Sequence, residues 1–177
     1  MEALVNEPWW NTEMHSEFEY LDAIEKLVAH KATSLPRGYR NNNPGNLRHG
    51  KTEWKGLCRA QKDKEFCQFR SLSMGFRAML KLLLNYYETH RLRNLLAILC
   101  RWAPTADGND PQAYAKRVGL QVGRSAKEPL PHPKGDKILW VDIILAMAEV
   151  ENGTKTYYPR GHLRACANDA WTELFNA

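Results

Sequence analysis

Apolar positions between residues 72 and 175 recur at helical spacing, while those between 39 and 71 do not. Phe76, Met79, Leu80, Leu83, Leu84 and Tyr87 fall at i, i+3, i+4, i+7, i+8 and i+11, the stripe of an amphipathic helix. Leu92, Leu95, Leu96, Leu99 and Trp102 form a second stripe that ends before Pro104, because proline lacks the amide a helix needs. Asp110 before Pro111 places an N-cap and a first-turn proline together, so a third helix opens there and runs to near Val118. From Asp136 to Glu151 the chain is apolar nearly all round, up to the Asn152-Gly153 stop. A helix without a polar face belongs at the centre of the molecule. A last helical segment spans about 162–175.

Residues 39–71 have another texture. "NNNPGNLRHG" is a turn-rich loop, and "EWKGLCRA" and "EFCQFRS" alternate as short strands do. A small β region of three strands is expected. Upstream, Phe18, Leu21, Ile24, Leu27 and Val28 mark a helix over 16–31 with Ser16 as its N-cap, and Ser34-Leu35-Pro36-Arg37-Gly38 then punctuates the chain. The pattern predicts an N-terminal helical appendage over 1–34 and a main domain over 35–177. That domain has a β lobe at about 39–71 and a helical body at about 72–177. The fold class is α+β, mainly helical.

Composition narrows the function classes. With 177 residues, 44% hydrophobic and 25% charged, the chain is an ordinary globular protein of about one domain. No apolar run approaches the roughly 18 residues of a membrane span, and Met1 to His15 lacks the order of a signal peptide. The net charge of +5 suits a large anionic partner. No recognition helix or aromatic RNA-binding motif accompanies that charge, so specific nucleic-acid binding is not expected. The four cysteines form no C-x-x-C pair, and the six histidines are scattered without metal spacing. Neither a metal nor a cofactor is expected. Cys58 and Cys67 flank a polar stretch, and both a disulfide and free thiols suit that spacing.

Two stretches carry candidate chemistry. Trp140, Ile144, Met147 and Glu151 are spaced i, i+4, i+7 and i+11, so Glu151 closes a wholly apolar stripe. A carboxylate at a helix C-terminus meets the negative end of the dipole, and apolar neighbours desolvate it; both raise its pKa. Those are the conditions of a general acid, against the alternative of a solvated helix-end glutamate. "RGYRNNNPGNLR", residues 37–48, offers Asn42, Asn43 and Asn46 as amide donors and acceptors, with Arg40 beside them. Such a loop either ties itself together or holds a polar ligand such as a sugar acetamido group. Trp54, Tyr157 and Tyr158 are sugar-stacking platforms or ordinary packing.

Taken in order, "RGYRNNNPGNLR", "WKG", "EFCQFRSLSMGFRAM", "WAP", "DGND" and "ENG" resemble a phage and mobile-element group of lysozyme-like proteins, comprising virion structural proteins and peptidoglycan hydrolases. The lobe motifs are also similar to those of flagellar-type glucosaminidases of the lysozyme superfamily, where an aromatic-rich strand, here holding Phe69, lines the glycan groove. The resemblance implies a lysozyme-like body that cuts the MurNAc–GlcNAc backbone of peptidoglycan. It implies an acid at the end of the buried helix, here Glu151, and a second carboxylate in a lysozyme. Asp63 or Glu65 of the lobe is the candidate, with Glu53 in the lobe and Asp107 and Asp110 on a loop as others, none flanked by a signature. One departure stands out. In that superfamily the acid ends a helix preceding the β lobe; here the suitable helix follows it, which implies a circular permutation, with Glu25 of the appended helix as runner-up.

The expectation is therefore a muramidase or a lytic transglycosylase. The alternative is a non-catalytic lysozyme-like structural or wall-binding component of a phage particle or a secretion or conjugation machine. Without a signal peptide, the protein would be made in the bacterial cytoplasm and act in the periplasm or wall after delivery by such a machine. An immunity or inhibitor protein is a further implied partner.

Overall fold

Six α-helices lie among the described residues, which are 35–153, 157–158 and 161–176 of the computed structural model. They are α1 (Arg37–Arg40), α2 (Leu72–Glu88), α3 (Leu95–Trp102), α4 (Pro111–Val122), α5 (Lys137–Asn152) and α6 (His162–Phe175). A single 3-10 turn, Thr105–Asp107, joins α3 to α4. Pro36–Ala177 form one compact unit. The helix expected over 16–31, and Glu25 within it, lie outside the described residues.

Local chemistry sets the helix ends. Asn94 Oδ1 accepts from the Ala97 amide at 2.8 Å, and Asp136 Oδ1 from the Leu139 amide at 3.0 Å. Asp110 caps α4 as its spacing predicts, accepting from the Gln112 and Ala113 amides, both at 3.0 Å. Each cap satisfies amides that have no partner inside the helix and contributes about 1 kcal/mol. α4 runs past Val118 to Val122, where Gly123 at φ +67° ends it, as only glycine adopts that angle freely.

The body is a single hydrophobic core. Phe76, Met79, Leu80 and Leu83 of α2, Leu95, Ile98 and Leu99 of α3, and Trp140, Ile143, Ile144 and Met147 of α5 are all fully buried. Burying each such side chain stabilises the fold by roughly 1.5–3 kcal/mol before the cost of ordering it. α5 packs against α1, α2, α4 and α6, the central position expected of an all-apolar helix. The Trp140 indole N–H donates to the Pro131 carbonyl at 3.1 Å, so this buried ring leaves no polar atom unpaired. α6 lies along α2 and buries only Ala167 and Ala170 completely.

The lobe differs from its expected form. Instead of three strands, the described residues hold two isolated antiparallel bridges, Arg48 with Phe66 and Leu57 with Phe69. Around those bridges the Cys67, His49, Cys58 and Arg70 amides donate to the Leu47, Glu65, Gln68 and Gly56 carbonyls, and side chains add to these short ladders. Asn43, itself fully buried, donates to the Leu47 and Cys67 carbonyls and accepts from the Leu47 amide, each at 2.9 Å. Gln61 donates to the Cys58 and Gln68 carbonyls, and its own oxygen accepts from the Gln68 amide. Asp63 Oδ1 accepts from the Glu65 and Phe66 amides. These side-chain bonds satisfy backbone groups that the few cross-segment bonds leave over. The apolar part is small: Leu47, Cys67, Phe69 and Ala78, with Trp54, Leu57 and Met74 half-buried against them. Cys58 and Cys67 are free thiols, which answers the open question of their pairing.

Among the contacts that fix the lobe on the body are a close backbone approach and a shared ion pair. Gly75 in the first turn of α2 lies so close to the Asn42 carbonyl that any Cβ would collide with it. Glu173 of α6 accepts an ion pair from Lys55 of the lobe at 2.6 Å and from Arg77 of α2 at 3.3 Å.

Candidate functional site

Glu151 stands in the last turn of α5, where body and lobe meet. Asn152 beside it donates to the Ala148 carbonyl within the helix, at 2.9 Å, and to the Pro44 carbonyl of the lobe, at 2.8 Å. Gly153 at φ +85° then turns the chain away. The apolar stripe leading to Glu151 is buried, but its carboxylate is not left against apolar neighbours. Oε1 accepts from the Trp102 indole N–H at 2.9 Å and faces the Tyr114 hydroxyl at 3.0 Å. Oε2 accepts from Asn46 Nδ2 at 3.2 Å, and the same amide lies 3.3 Å from the Glu151 carbonyl.

Four elements converge on one side chain: α5 supplies the carboxylate, α3 the indole, α4 the phenol and the lobe the amide. Asn46 reaches it from a backbone at φ +47°, a left-handed conformation that asparagine tolerates better than most residues. The Tyr114 hydroxyl also lies 3.2 Å from the Met147 carbonyl, so its single proton serves one acceptor at a time. Burial, and after it the adjacent Glu151 charge, push the Tyr114 phenol far above its ordinary range. It therefore stays a donor.

Glu151 opens into a groove of about 410 Å³ whose lining includes Asn46, Arg48, Phe66, Tyr86, Trp102, Asp107 and Asn109. The Arg48 guanidinium sits 4.8 Å over the Phe66 ring and that of Arg37 sits 4.4 Å over the same ring. Arg101 lies 5.2 Å over Tyr86. The groove thus combines aromatic and guanidinium surfaces with two carboxylates, Glu151 and Asp107. A polar ligand with apolar ring faces suits such a lining.

The residues singled out from sequence separate into several places. Asn46 meets Glu151. Asn43 does not reach the groove, because its amide is consumed by lobe backbone; Asn42 Nδ2 likewise donates to the Phe69 carbonyl, at 3.1 Å. Phe69 is buried in the lobe core, and Trp54 packs half-buried on the same cluster. Tyr157 and Tyr158 stand edge-on to Tyr39, at 5.9 and 5.3 Å between ring centres, and Tyr158 also stacks on His162. Burial pushes the Tyr39 phenol up to about 12. These rings are placed as packing around α1, outside the lining of the Glu151 groove.

Asp63 and Glu65 are engaged elsewhere. Arg37 holds Asp63 through Nε at 2.7 Å and Nη2 at 2.8 Å, and Glu65 through Nη1 at 2.9 Å. Asn41 adds a further bond to Asp63 at 2.8 Å. The Arg37 guanidinium, ahead of the Asn41 amide, holds the Asp63 carboxyl well below the usual range. Both acids line a separate, open groove with Arg40, Lys62 and Lys64. The carboxylate sharing the Glu151 groove is Asp107, which sequence leaves as one loop acid among several.

Trp102 and Tyr114 were not legible as partners of Glu151. Trp102 looks like helix-end packing and Tyr114 like one more aromatic on an amphipathic helix. Their only signal is a position near the ends of the two helices that flank the Pro104–Asp110 loop.

Among the described residues no helix is long and apolar enough to cross a membrane. No family model matches the chain. Protein P5 of Pseudoalteromonas phage PM2 is 31% identical to it over 124 residues, which cover 68% of this chain and 74% of that protein.

Proposed function

The chain belongs to the family of protein P5 of phage PM2, and from that premise we propose that it cleaves the glycan strands of bacterial peptidoglycan, with Glu151 as the proton-transferring group. The single observation that carries the proposal is the Glu151 carboxylate itself, set in a groove and gripped by donors from two helices and the lobe. Breaking a glycosidic bond needs an acid that protonates the leaving oxygen and is left as an anion. Trp102, Asn46 and Tyr114 are hydrogen-bond donors to Glu151, and together they hold its carboxyl group in one orientation at the groove.

A body of this kind is lysozyme-like in plan: a buried helix ends in the acid and a small polar lobe covers one side of the cleft. Its order along the chain, lobe first and helix last, is that of a circular permutation. Asp107 in the same groove is the candidate second carboxylate, to activate water in a muramidase. A lytic transglycosylase would dispense with it, since the sugar's own 6-hydroxyl closes an anhydro ring. The protein would meet its substrate in the wall after delivery by a phage or comparable machine.

The test is direct. Purified protein incubated with sacculi is expected to release soluble muropeptides, and mass spectrometry of their ends separates reducing from 1,6-anhydro products. A second reading, a virion component that binds the wall without turnover, is favoured by the phage origin of the relative. Sacculi that bind the protein and release nothing would establish that reading and end the first.

A further inference from the structure

The net charge is unevenly divided. Residues 36–70 hold nine Lys or Arg against three Asp or Glu, and residues 71–177 hold fourteen against ten. The lobe taken with the start of α1 therefore carries +6, more than the +5 of the whole chain, because residues 1–34 hold seven acids against two bases. Two of the lobe's three acids, Asp63 and Glu65, share the single guanidinium of Arg37. Lys62 and Lys64 are exposed on either side of Asp63 and have no carboxylate partner among the described residues. With Arg40 they line an open depression of about 680 Å³.

This depression shares no lining residue with the Glu151 groove but neighbours it across one ring. Phe66 and Arg48 line the groove, and Arg37, which lines the depression, stacks on the same Phe66 ring. A cationic ridge thus runs from the groove to Lys62 and Lys64. It has too few charges, and two interspersed carboxylates, to track a phosphate backbone. Its lining also offers no aromatic face on which a base would stack. Scattered carboxylates on flexible arms are a better match, because each can reach one ammonium or guanidinium group.

We propose that this ridge is a second binding subsite, which takes the carboxylate groups of the peptide stems hanging from the glycan strand whose sugars occupy the Glu151 groove. It rests on the reading of that groove as a glycan site, and it adds a preference for stem-bearing over bare strands.

Binding of the full-length protein to purified sacculi, measured by co-sedimentation, tests the proposal. Intact sacculi are the pelleting ligand, and strands stripped of stems by an amidase, which are soluble because the stems carry the cross-links, are measured as competitors. The double variant Lys62→Glu/Lys64→Glu should keep its circular dichroism and thermal midpoint, since neither side chain is buried. It should bind intact sacculi about tenfold more weakly than wild type, the size expected for reversing two exposed charges. Wild type should bind stripped strands at the variant's level, and added salt should shrink the difference. Equal binding by variant and wild type overturns the subsite, and so does equal binding of intact sacculi and stripped strands. Displacement of sacculi by a DNA duplex at matched charge overturns it in favour of nucleic acid. Muropeptide release is scored separately: stem-dependent binding with no release would sink the cleavage reading and leave the subsite standing.

Discussion

The helical body and the Asn-rich lobe are held together by different physics. The body buries eleven large side chains completely across α2, α3 and α5, with no polar atom unpaired at Trp140. The lobe has four residues in its core and relies on amide and carboxylate side chains that satisfy its backbone. Burial is non-directional and spreads over many contacts, so the body tolerates loop variation. The lobe's bonds are few and directional, and each fixes a particular residue in space. A groove bounded by both has a rigid floor from α5 and a side set by individual hydrogen bonds, a suitable setting for one oriented carboxylate.

Core deletion in the body should have the largest effect. Trp140→Ala removes a fully buried ring from the centre of α5 and is expected to cost about 3–5 kcal/mol, lowering the urea midpoint of the whole unit. A loss under 1 kcal/mol would mean that the body is not one cooperative core. In the lobe, Asn43→Ala takes away the partner of the Leu47 amide and of the Cys67 carbonyl, while the Leu47 carbonyl keeps the Cys67 amide. The expected cost is about 2–3 kcal/mol, with faster amide exchange confined to residues 41–70. Exchange that rises equally in α2 and α5 would erase the distinction between the two regions.

Smaller effects probe the boundary. Trp102→Phe keeps the ring and removes the N–H that reaches Glu151. Stability should fall by no more than about 1 kcal/mol, while muropeptide release drops about tenfold, as ~1.4 kcal/mol of lost stabilisation would give. Release unchanged in Trp102→Phe would remove the indole from the mechanism. The smallest effect is in acid. Asp63 has its folded pKa lowered by Arg37, so its contribution is complete above the unfolded value near 4 and fades as pH falls toward the folded one. Thermal midpoints of Asp63→Asn should accordingly be lower than wild type at neutral pH and converge with it in acid. A constant gap across the range would show that the ion pair is not the cause.

The body was legible because its signals are local. The Phe76–Tyr87 stripe, the Asp110 cap and the Gly153 stop each lie within a few residues of what they determine. The lobe was not, because its bonds join residues far apart in sequence: Arg37 to Asp63, Asn41 to Asp63, Asn43 to Cys67. Alternation in "EFCQFRS" suggests a strand, and its backbone does bond to residues 47–49 and 56–58, yet nothing in that string reveals how much of the bonding Gln61 and Asn43 add. The site was half legible for the same reason. Helical periodicity isolates Glu151, but Trp102 and Tyr114 lie 49 and 37 residues before it and meet it only through the packing of three helices. Asn46 came from its unusual loop rather than from any visible link to the helix. Phe69 and Trp54 misled because an aromatic in a polar loop looks the same from sequence whether it faces a ligand or a four-residue core.

Everything functional turns on one carboxylate, and replacing it isosterically is the sharpest probe. Glu151→Gln keeps the side chain's shape and should fold with an unchanged circular dichroism spectrum. Release of soluble muropeptides from purified sacculi is expected to fall at least about a hundredfold, the scale of a lost general acid, while Asp63→Asn in the same assay stays near wild type. Release by folded Glu151→Gln at the wild-type rate would contradict the assignment of Glu151.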